Sequence, residues 1–147
     1  MPAFNEDLHG MVPDESEVAL LLIDVINDLE FPGNESLFPF ALKMAQRLAA
    51  LKARAVETGI PVIYVNDNFG RWQSDFNRSV DHVLKGETKT GQPLRGKPIA
   101  ELLLPSDKDY FVLKPKHSGF FSTNLDILLG YLRAKTLVLT GIAGNIW

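Results

Sequence analysis

The sequence predicts an α/β fold in which a parallel sheet is flanked by helices, in three layers. Four short apolar runs are separated by segments with helical periodicity, which is the pattern of repeated βαβ units. Within each run the apolar residues are continuous, which favours strands covered on both faces. Each run ends in a polar residue or a turn, and such strand ends meet at the edge where parallel sheets bind ligands.

The composition fits one globular domain and excludes several classes of function. The chain has 147 residues, of which 46% are hydrophobic and 22% charged, enough for a single buried core. A net charge of −3 gives no electrostatic basis for binding nucleic acid or an anionic membrane, and without cysteine there is no disulfide or thiolate metal site. No apolar run approaches the roughly 20 residues of a membrane span.

The N-terminal segment and the domain that follows it differ in character. Residues 1–16 are polar and acidic and are predicted to form an arm, and residues 17–147 to form the folded domain. The arm lacks the basic start and the apolar core of a signal peptide, so the sequence indicates a cytoplasmic protein.

The first βα unit is the most regular. The first strand is expected at Val18–Ile23 and ends at Asp24. A long helix is predicted over 36–58, because apolar residues recur there at steps of three and four. Ser36 is the expected N-cap, which places Pro39 in the first turn, where proline is tolerated.

The middle of the chain predicts one clear strand and less regular structure. The second strand is expected at 62–65 and is followed by Asn66, Asp67 and Asn68. A short helix capped by Ser74 and one or two helical turns over 98–103 are expected. Between them, 86–98 is rich in Gly and polar residues, which predicts an exposed loop.

The last third predicts another βα unit and a final strand. The third strand is expected at 110–113, closed by Lys114 and Pro115. Thr123 with an acid three residues later has the pattern of a capping box at the start of a helix. The fourth strand is expected at 136–140, and small residues follow it where a helix is expected to begin.

Asp24 and Lys114 are the leading candidates for catalysis, because each directly ends a predicted strand. A carboxylate at this rim is suited to general acid or base chemistry, and an ammonium beside it to stabilising an anionic nucleophile or oxyanion. The structural alternatives are a carboxylate that caps the next turn and an ordinary surface lysine. Partnered charges at one rim favour the functional interpretation.

Two further segments are open to two interpretations. The small-residue loop 141–145 offers backbone N–H groups for an anion or oxyanion, or it is an ordinary tight connection. The polar residues 66–68, with Arg71 and Trp72, line a pocket or satisfy their own backbone. The three histidines, His9, His82 and His117, have no metal-ligand spacing.

Three segments resemble motifs of the isochorismatase-like cysteine hydrolases. Residues 24–29 (DVINDL) resemble the family's D-x-Q-N-D-F element, and residues 114–125 (KPKHSGFFSTNL) its K-x-x-x-S-A-F-x-x-T-x-L element. Residues 139–146 (LTGIAGNI) resemble its G-x-x-T-N-x-C loop. The three follow predicted strands in the family's order, and the resemblance covers about 18–147.

The resemblance implies an Asp-Lys-Cys triad that cleaves a C–N bond in a small amide, without a cofactor. It assigns Asp24 and Lys114 to the triad, and the Cys position falls on Trp147. It places the oxyanion and cis-peptide loop at Ile142, Ala143 and Gly144. The residues expected to contact substrate are Asn66, Asn68, Trp72 and Phe120.

Departures from the family pattern refine these expectations. Family members that are nicotinamidases bind a metal through D-x-H, and Phe69 occupies that His position here, so no metal site is predicted. Ile26 replaces the usual Gln and Gly144 the usual Thr. The family continues beyond its Cys, so this sequence is expected to be a fragment or truncated frame that lacks the C-terminal strands and is inactive. The full-length parent is expected to be a homo-oligomer.

Two other classes of function are alternatives to hydrolysis. A non-catalytic binding or assembly module of the same fold is the main alternative, with pairing through the fourth strand. A flavodoxin-like nucleotide binder is disfavoured, because no G-x-G-x-x-G motif or P-loop follows any predicted strand.

Overall fold

The computed structural model describes residues 3–4, 11–12, 15–68 and 75–142. The four strands predicted from the sequence are present. In chain order the elements are β1 (Ala3–Phe4), β2 (Met11–Val12), β3 (Val18–Ile23), α1 (Asn34–Glu57), β4 (Val62–Asp67), α2 (Phe76–Lys85), α3 (Lys97–Leu102), β5 (Tyr110–Lys114), α4 (Leu125–Leu132) and β6 (Thr136–Gly141).

The main sheet has four parallel strands in the order β5-β4-β3-β6. Helices α1, α2 and α3 pack on one face, and α4 packs on the other. This arrangement confirms the predicted three-layer α/β fold. β1 and β2 form a separate antiparallel pair within the predicted arm, which the sequence pattern did not indicate.

The residues of β3 serve two cores in alternation. Leu20 and Leu22 pack with α1 on one face, while Ala19 and Leu21 pack with α4 on the other. Because both faces are covered, every position needs an apolar residue, which accounts for the unbroken run in the sequence. β3 is therefore held on both faces up to the point where Asp24 leaves the sheet.

The start of α1 differs from the prediction. The helix begins at Asn34, after Gly33 in the left-handed region with φ 88°, instead of at residue 36. Ser36 is not the N-cap: its hydroxyl donates to the Gly33 carbonyl at 2.9 Å. Pro39 consequently lies in the second turn, where its ring nitrogen cannot donate to the Glu35 carbonyl.

The predicted loop over 86–98 is only partly exposed. α3 already begins at Lys97, and Leu94 and Gly96 are buried. The Gly96 N–H donates to the Asp28 carbonyl at 2.8 Å. A Cβ at Gly96 would lie 1.6 Å from the Asn27 carbonyl oxygen, so this close approach requires glycine. The segment thus supports the turn that follows β3.

The two predicted helix caps also have different outcomes. Ser74 lies outside the described residues, and Asp75 is the N-cap of α2, accepting from the Arg78 N–H at 2.7 Å. The capping box at α4 is not formed, because the N-cap position is Asn124. The Thr123 hydroxyl donates to the Gly119 carbonyl and accepts from the Leu125 N–H.

Candidate active site at the carboxyl ends of the strands

Three charged side chains meet where β3, β4 and β5 end. The Lys114 Nζ lies 2.9 Å from Asp24 Oδ2 and 4.0 Å from Asp67 Oδ2. The parallel sheet brings these residues together because the carboxyl ends of its strands share one edge. The expected pairing of Asp24 with Lys114 is therefore present, and their catalytic roles stay predictions.

Lys114 is not a surface lysine. Its side chain is 1% exposed, and that of Asp24 is 16% exposed. A buried ammonium is tolerated only when a charge partner compensates for the lost hydration, and the Asp24 carboxylate is that partner. The lysine therefore holds its charge at a fixed point at the rim, with a carboxylate in direct contact.

Asp24 adopts an unusual backbone conformation at the end of β3. Its φ is 53°, in the left-handed region that costs a non-glycine residue about 1–2 kcal/mol. The Asp24 N–H still donates to the Val65 carbonyl, and the Asp67 N–H donates to Asp24 Oδ1, both at 3.0 Å. The carboxylate thus extends the ladder between β3 and β4 by one step, which fixes its direction toward Lys114.

Asn66 has a different environment from the one expected of a substrate-binding residue. It is fully buried, and its side chain contacts the backbone of Ile26 on the neighbouring turn. The buried amide contacts other residues of the fold, and the expected contact of Asn66 with a substrate stays a prediction. In the sequence, an Asn after a buried strand looks the same whether its side chain lines a pocket or hydrogen-bonds inside the fold.

The other residues expected to contact substrate have mixed outcomes. Phe120 is 51% exposed and lines a cavity of about 580 Å³ on the α4 face, together with Ile23 and Leu139. Asn68 is half-buried, and its N–H donates to the Lys114 carbonyl at 3.2 Å. Trp72 lies outside the described residues. Ile23, which lines this cavity, is the residue before Asp24.

The start of the predicted oxyanion loop lies against the end of β3. The Ile142 N–H donates to the Ile23 carbonyl at 3.1 Å, and Ile142 is buried. Gly141 has φ 136°, and a Cβ there would lie 1.9 Å from the same carbonyl oxygen. Ala143, Gly144 and Trp147 lie outside the described residues, as does the expected cis peptide bond.

Asp67 is the site residue whose role the sequence reasoning missed. The sequence indicates only that it is one of the polar residues 66–68 after the second strand, whereas its carboxylate lies 4.0 Å from Lys114 Nζ and its N–H donates to Asp24 Oδ1. Within 3–4, 11–12, 15–68 and 75–142, no group of three or more His, Cys, Asp or Glu side chains is placed to hold a metal ion. Nor does any helix of these ranges have the length and apolar character needed to cross a membrane.

A parallel sheet with helices on both faces and an Asp–Lys pair at its carboxyl edge is the architecture of a three-layer α/β protein. Comparison with known families shows which family of this class the chain belongs to. The model of the isochorismatase domain matches residues 18–146. The chain therefore belongs to the isochorismatase family.

The chain is similar to proteins of several organisms. The isochorismatase family protein YaaI of Bacillus subtilis is 38% identical over 132 residues, which cover 90% of this chain and 68% of YaaI. The ureidoacrylate amidohydrolase RutB of Azorhizobium caulinodans is 28% identical over 169 residues, covering 99% of this chain and 71% of RutB. The crystal structure of N-carbamoylsarcosine amidase from Thermoplasma acidophilum is 27% identical, with a TM-score of 0.62, and the match covers 89% of this chain and 70% of that one.

The similar proteins are longer than this chain. It spans 68% of the first relative and 65% of a second, about two thirds of their length.

Proposed function

We propose that this chain carries the acid–base half of a hydrolase that cleaves a C–N bond in a small amide. The observation that carries the proposal is the buried Lys114 ammonium in contact with the Asp24 carboxylate, beside the loop that follows β6. Family membership supports it, and an amidohydrolase and an amidase are among the similar proteins.

Each group has a defined part in the proposed reaction. Asp24 accepts the proton of a cysteine thiol, and Lys114 stabilises the thiolate that results. The thiolate attacks the amide carbonyl carbon, and N–H groups of the loop 142–144 bind the oxyanion of the tetrahedral intermediate, except that of Ile142, which donates to the Ile23 carbonyl. The protonated Asp24 returns its proton to the departing nitrogen. Water, deprotonated by Asp24, then releases the acid from the thioester and restores the thiol.

The family motif places the nucleophile at position 147, where this sequence has Trp147. An indole does not attack a carbonyl, so the sequence as printed is proposed to be inactive. The reaction uses no cofactor and no metal ion. The proposal also includes a cytoplasmic location and a homo-oligomeric state for the longer protein.

A chimera tests the proposal. Residues 1–146, followed by Trp147→Cys and the C-terminal third of YaaI, are assayed for ammonia or amine release from simple carboxamides, N-carbamoyl amino acids and ureido acids. We expect turnover of at least one amide by the Trp147→Cys chimera, and none by matched chimeras that keep Trp147 or carry Trp147→Ser. A folded Trp147→Cys chimera that hydrolyses no member of the panel would overturn the proposal.

A further inference from the structure

A buried amide on the neighbouring strand, that of Asn66, binds the turn that follows Asp24. We infer that Asn66 is a positioning residue for the Asp24–Lys114 pair, a role that rests on the proposed function.

The side chain of Asn66 binds both polar groups of one residue. Its Oδ1 accepts from the Ile26 N–H at 3.2 Å, and its Nδ2 donates to the Ile26 carbonyl at 3.1 Å. The same Nδ2 donates to the Asp67 carbonyl at 3.2 Å. Only a side chain with a donor and an acceptor side by side satisfies this set, and a primary amide of this length provides both.

The contact acts on a strained part of the backbone. Ile26 is two residues after Asp24, which has its φ in the left-handed region at 53°. Such a conformation persists when surrounding groups hold it in place. Asn66 is 40 residues away in sequence and fully buried, so it anchors the turn to β4 independently of the local chain.

Asn66 and Asp67 together fix both the backbone and the carboxylate of Asp24. Asn66 holds the turn through Ile26, while the next residue donates its N–H to Asp24 Oδ1 at 3.0 Å. Lys114 then meets the other carboxylate oxygen at 2.9 Å. If the turn moves, the carboxylate leaves both partners, and misplacement of a catalytic group by about 1 Å can reduce a rate on the order of 100-fold.

Amide hydrogen exchange in the 147-residue chain tests the positioning without requiring activity. Asn66→Leu keeps the branched shape in a larger side chain and removes both polar atoms, and Asn66→Ser, which is smaller, is the second variant in case the first does not fold. Asn77→Ala, at an exposed position of α2, is the matched control. We expect exchange at least about tenfold faster at both the Ile26 and Asp67 amides in the Asn66 variants, with central β3 amides and the control unchanged. Faster exchange at Ile26 alone would overturn the inference, because Asp24 would then hold its position without Asn66.

The same substitutions in the Trp147→Cys chimera test the consequence for catalysis. We expect kcat to fall on the order of 100-fold with KM changed less than about threefold, because alignment is lost while the binding surface is kept. An unchanged kcat in a folded Asn66 variant would overturn the inference. A chimera that hydrolyses nothing refutes the proposed function, and the exchange measurement still decides whether Asn66 positions Asp24.

Discussion

Asp24 and Lys114 form a charge pair in which the lysine is buried and the carboxylate is its nearer anionic partner, at 2.9 Å. Lys114 is 1% exposed, and its second carboxylate, Asp67, lies farther away at 4.0 Å. Loss of one partner of a buried pair leaves an uncompensated charge, whereas loss of both replaces the pair by neutral groups.

Asp24→Asn should therefore destabilise the chain by about 3 kcal/mol, and Asp24→Asn combined with Lys114→Met should recover most of that loss. Urea unfolding measures both, with Asp81→Asn as the control, since the Asp81–Lys85 pair is exposed and should cost less than about 1 kcal/mol. If the single and double variants lose the same free energy of unfolding, Asp24 and Lys114 do not compensate each other's charge.

Tyr64 gives a prediction about alkaline pH. It is fully buried, its hydroxyl donates to the Leu103 carbonyl at 2.7 Å, and burial, followed by the Asp109 carboxylate, raises its pKa. The folded state therefore favours the neutral phenol. Its contribution is fully present below the ordinary tyrosine pKa of 10.0 and is lost as pH rises above that value toward the raised folded pKa.

The urea midpoint of the unmodified chain should fall between about pH 9 and pH 11, and that of Tyr64→Phe should fall less. Comparing how the urea midpoint changes with pH in the two proteins isolates the contribution of Tyr64, because the rest of the sequence is identical. Parallel slopes would contradict the assigned role of Tyr64.

At the scale of elements, β6 approaches β3 closely beside the site. A Cβ at Gly141 would lie 1.9 Å from the Ile23 carbonyl oxygen, whereas a Cβ at Gly130 in α4 meets nothing within 4 Å. Gly141 therefore has no room for a side chain, whereas Gly130 has room for one, and the sequence does not distinguish the two positions.

Gly141→Ala should destabilise the chain by more than about 1 kcal/mol, through the clash and the unfavourable φ. Gly130→Ala should stabilise it by about 0.5–1 kcal/mol, because alanine is the better helix former. Thermal or urea unfolding distinguishes them. A tolerated Gly141→Ala would show that β6 does not approach β3 as described.

The elements also show what the sequence can and cannot predict. Strands β3 to β6 were predicted from their continuous apolar runs, and coverage of both faces explains those runs for β3 and β4, whereas β6 is largely exposed. The start of α1 was misplaced because Gly33 and the contact of Ser36 with it depend on the backbone conformation. The contact of Gly96 with the Asn27 turn joins residues far apart in sequence, which no local pattern indicates.

The candidate site also has some features that the sequence predicts and others that depend on contacts between distant residues. The Asp24–Lys114 pair was predictable because both residues end strands of one parallel sheet. The burial of Asn66 was not, because an amide at a strand end has the same sequence signal whether it faces solvent or a neighbouring turn. The contact between Asp67 and Lys114 depends on the register of β4 with β5.

At the scale of the whole molecule, β6 is an apolar edge strand. It pairs with β3 on one side, and among the strands of the described residues none pairs with the other. Residues 136–141 include no charged side chain, and Leu139 is 64% exposed. Natural edge strands commonly carry charges that oppose pairing with other chains.

The chain should therefore self-associate as its concentration rises, and Leu139→Lys should lower the average mass measured by light scattering. Ile127→Lys is the matched control, because Ile127 is also exposed, at 57%, but lies on α4. Equal effects of the two substitutions would indicate general apolar association without a specific contribution from the β6 edge.

Catalysis, as proposed, requires the ends of β3, β5 and β6 to act together. The most direct measurement is the rate of amide hydrolysis by the Trp147→Cys chimera with and without Asp24→Asn, with folding verified for both. If Asp24 is the proton acceptor, the substitution should lower kcat by about 100-fold or more. A rate within about threefold of the parent chimera would contradict the assignment of Asp24 as the catalytic acid–base group.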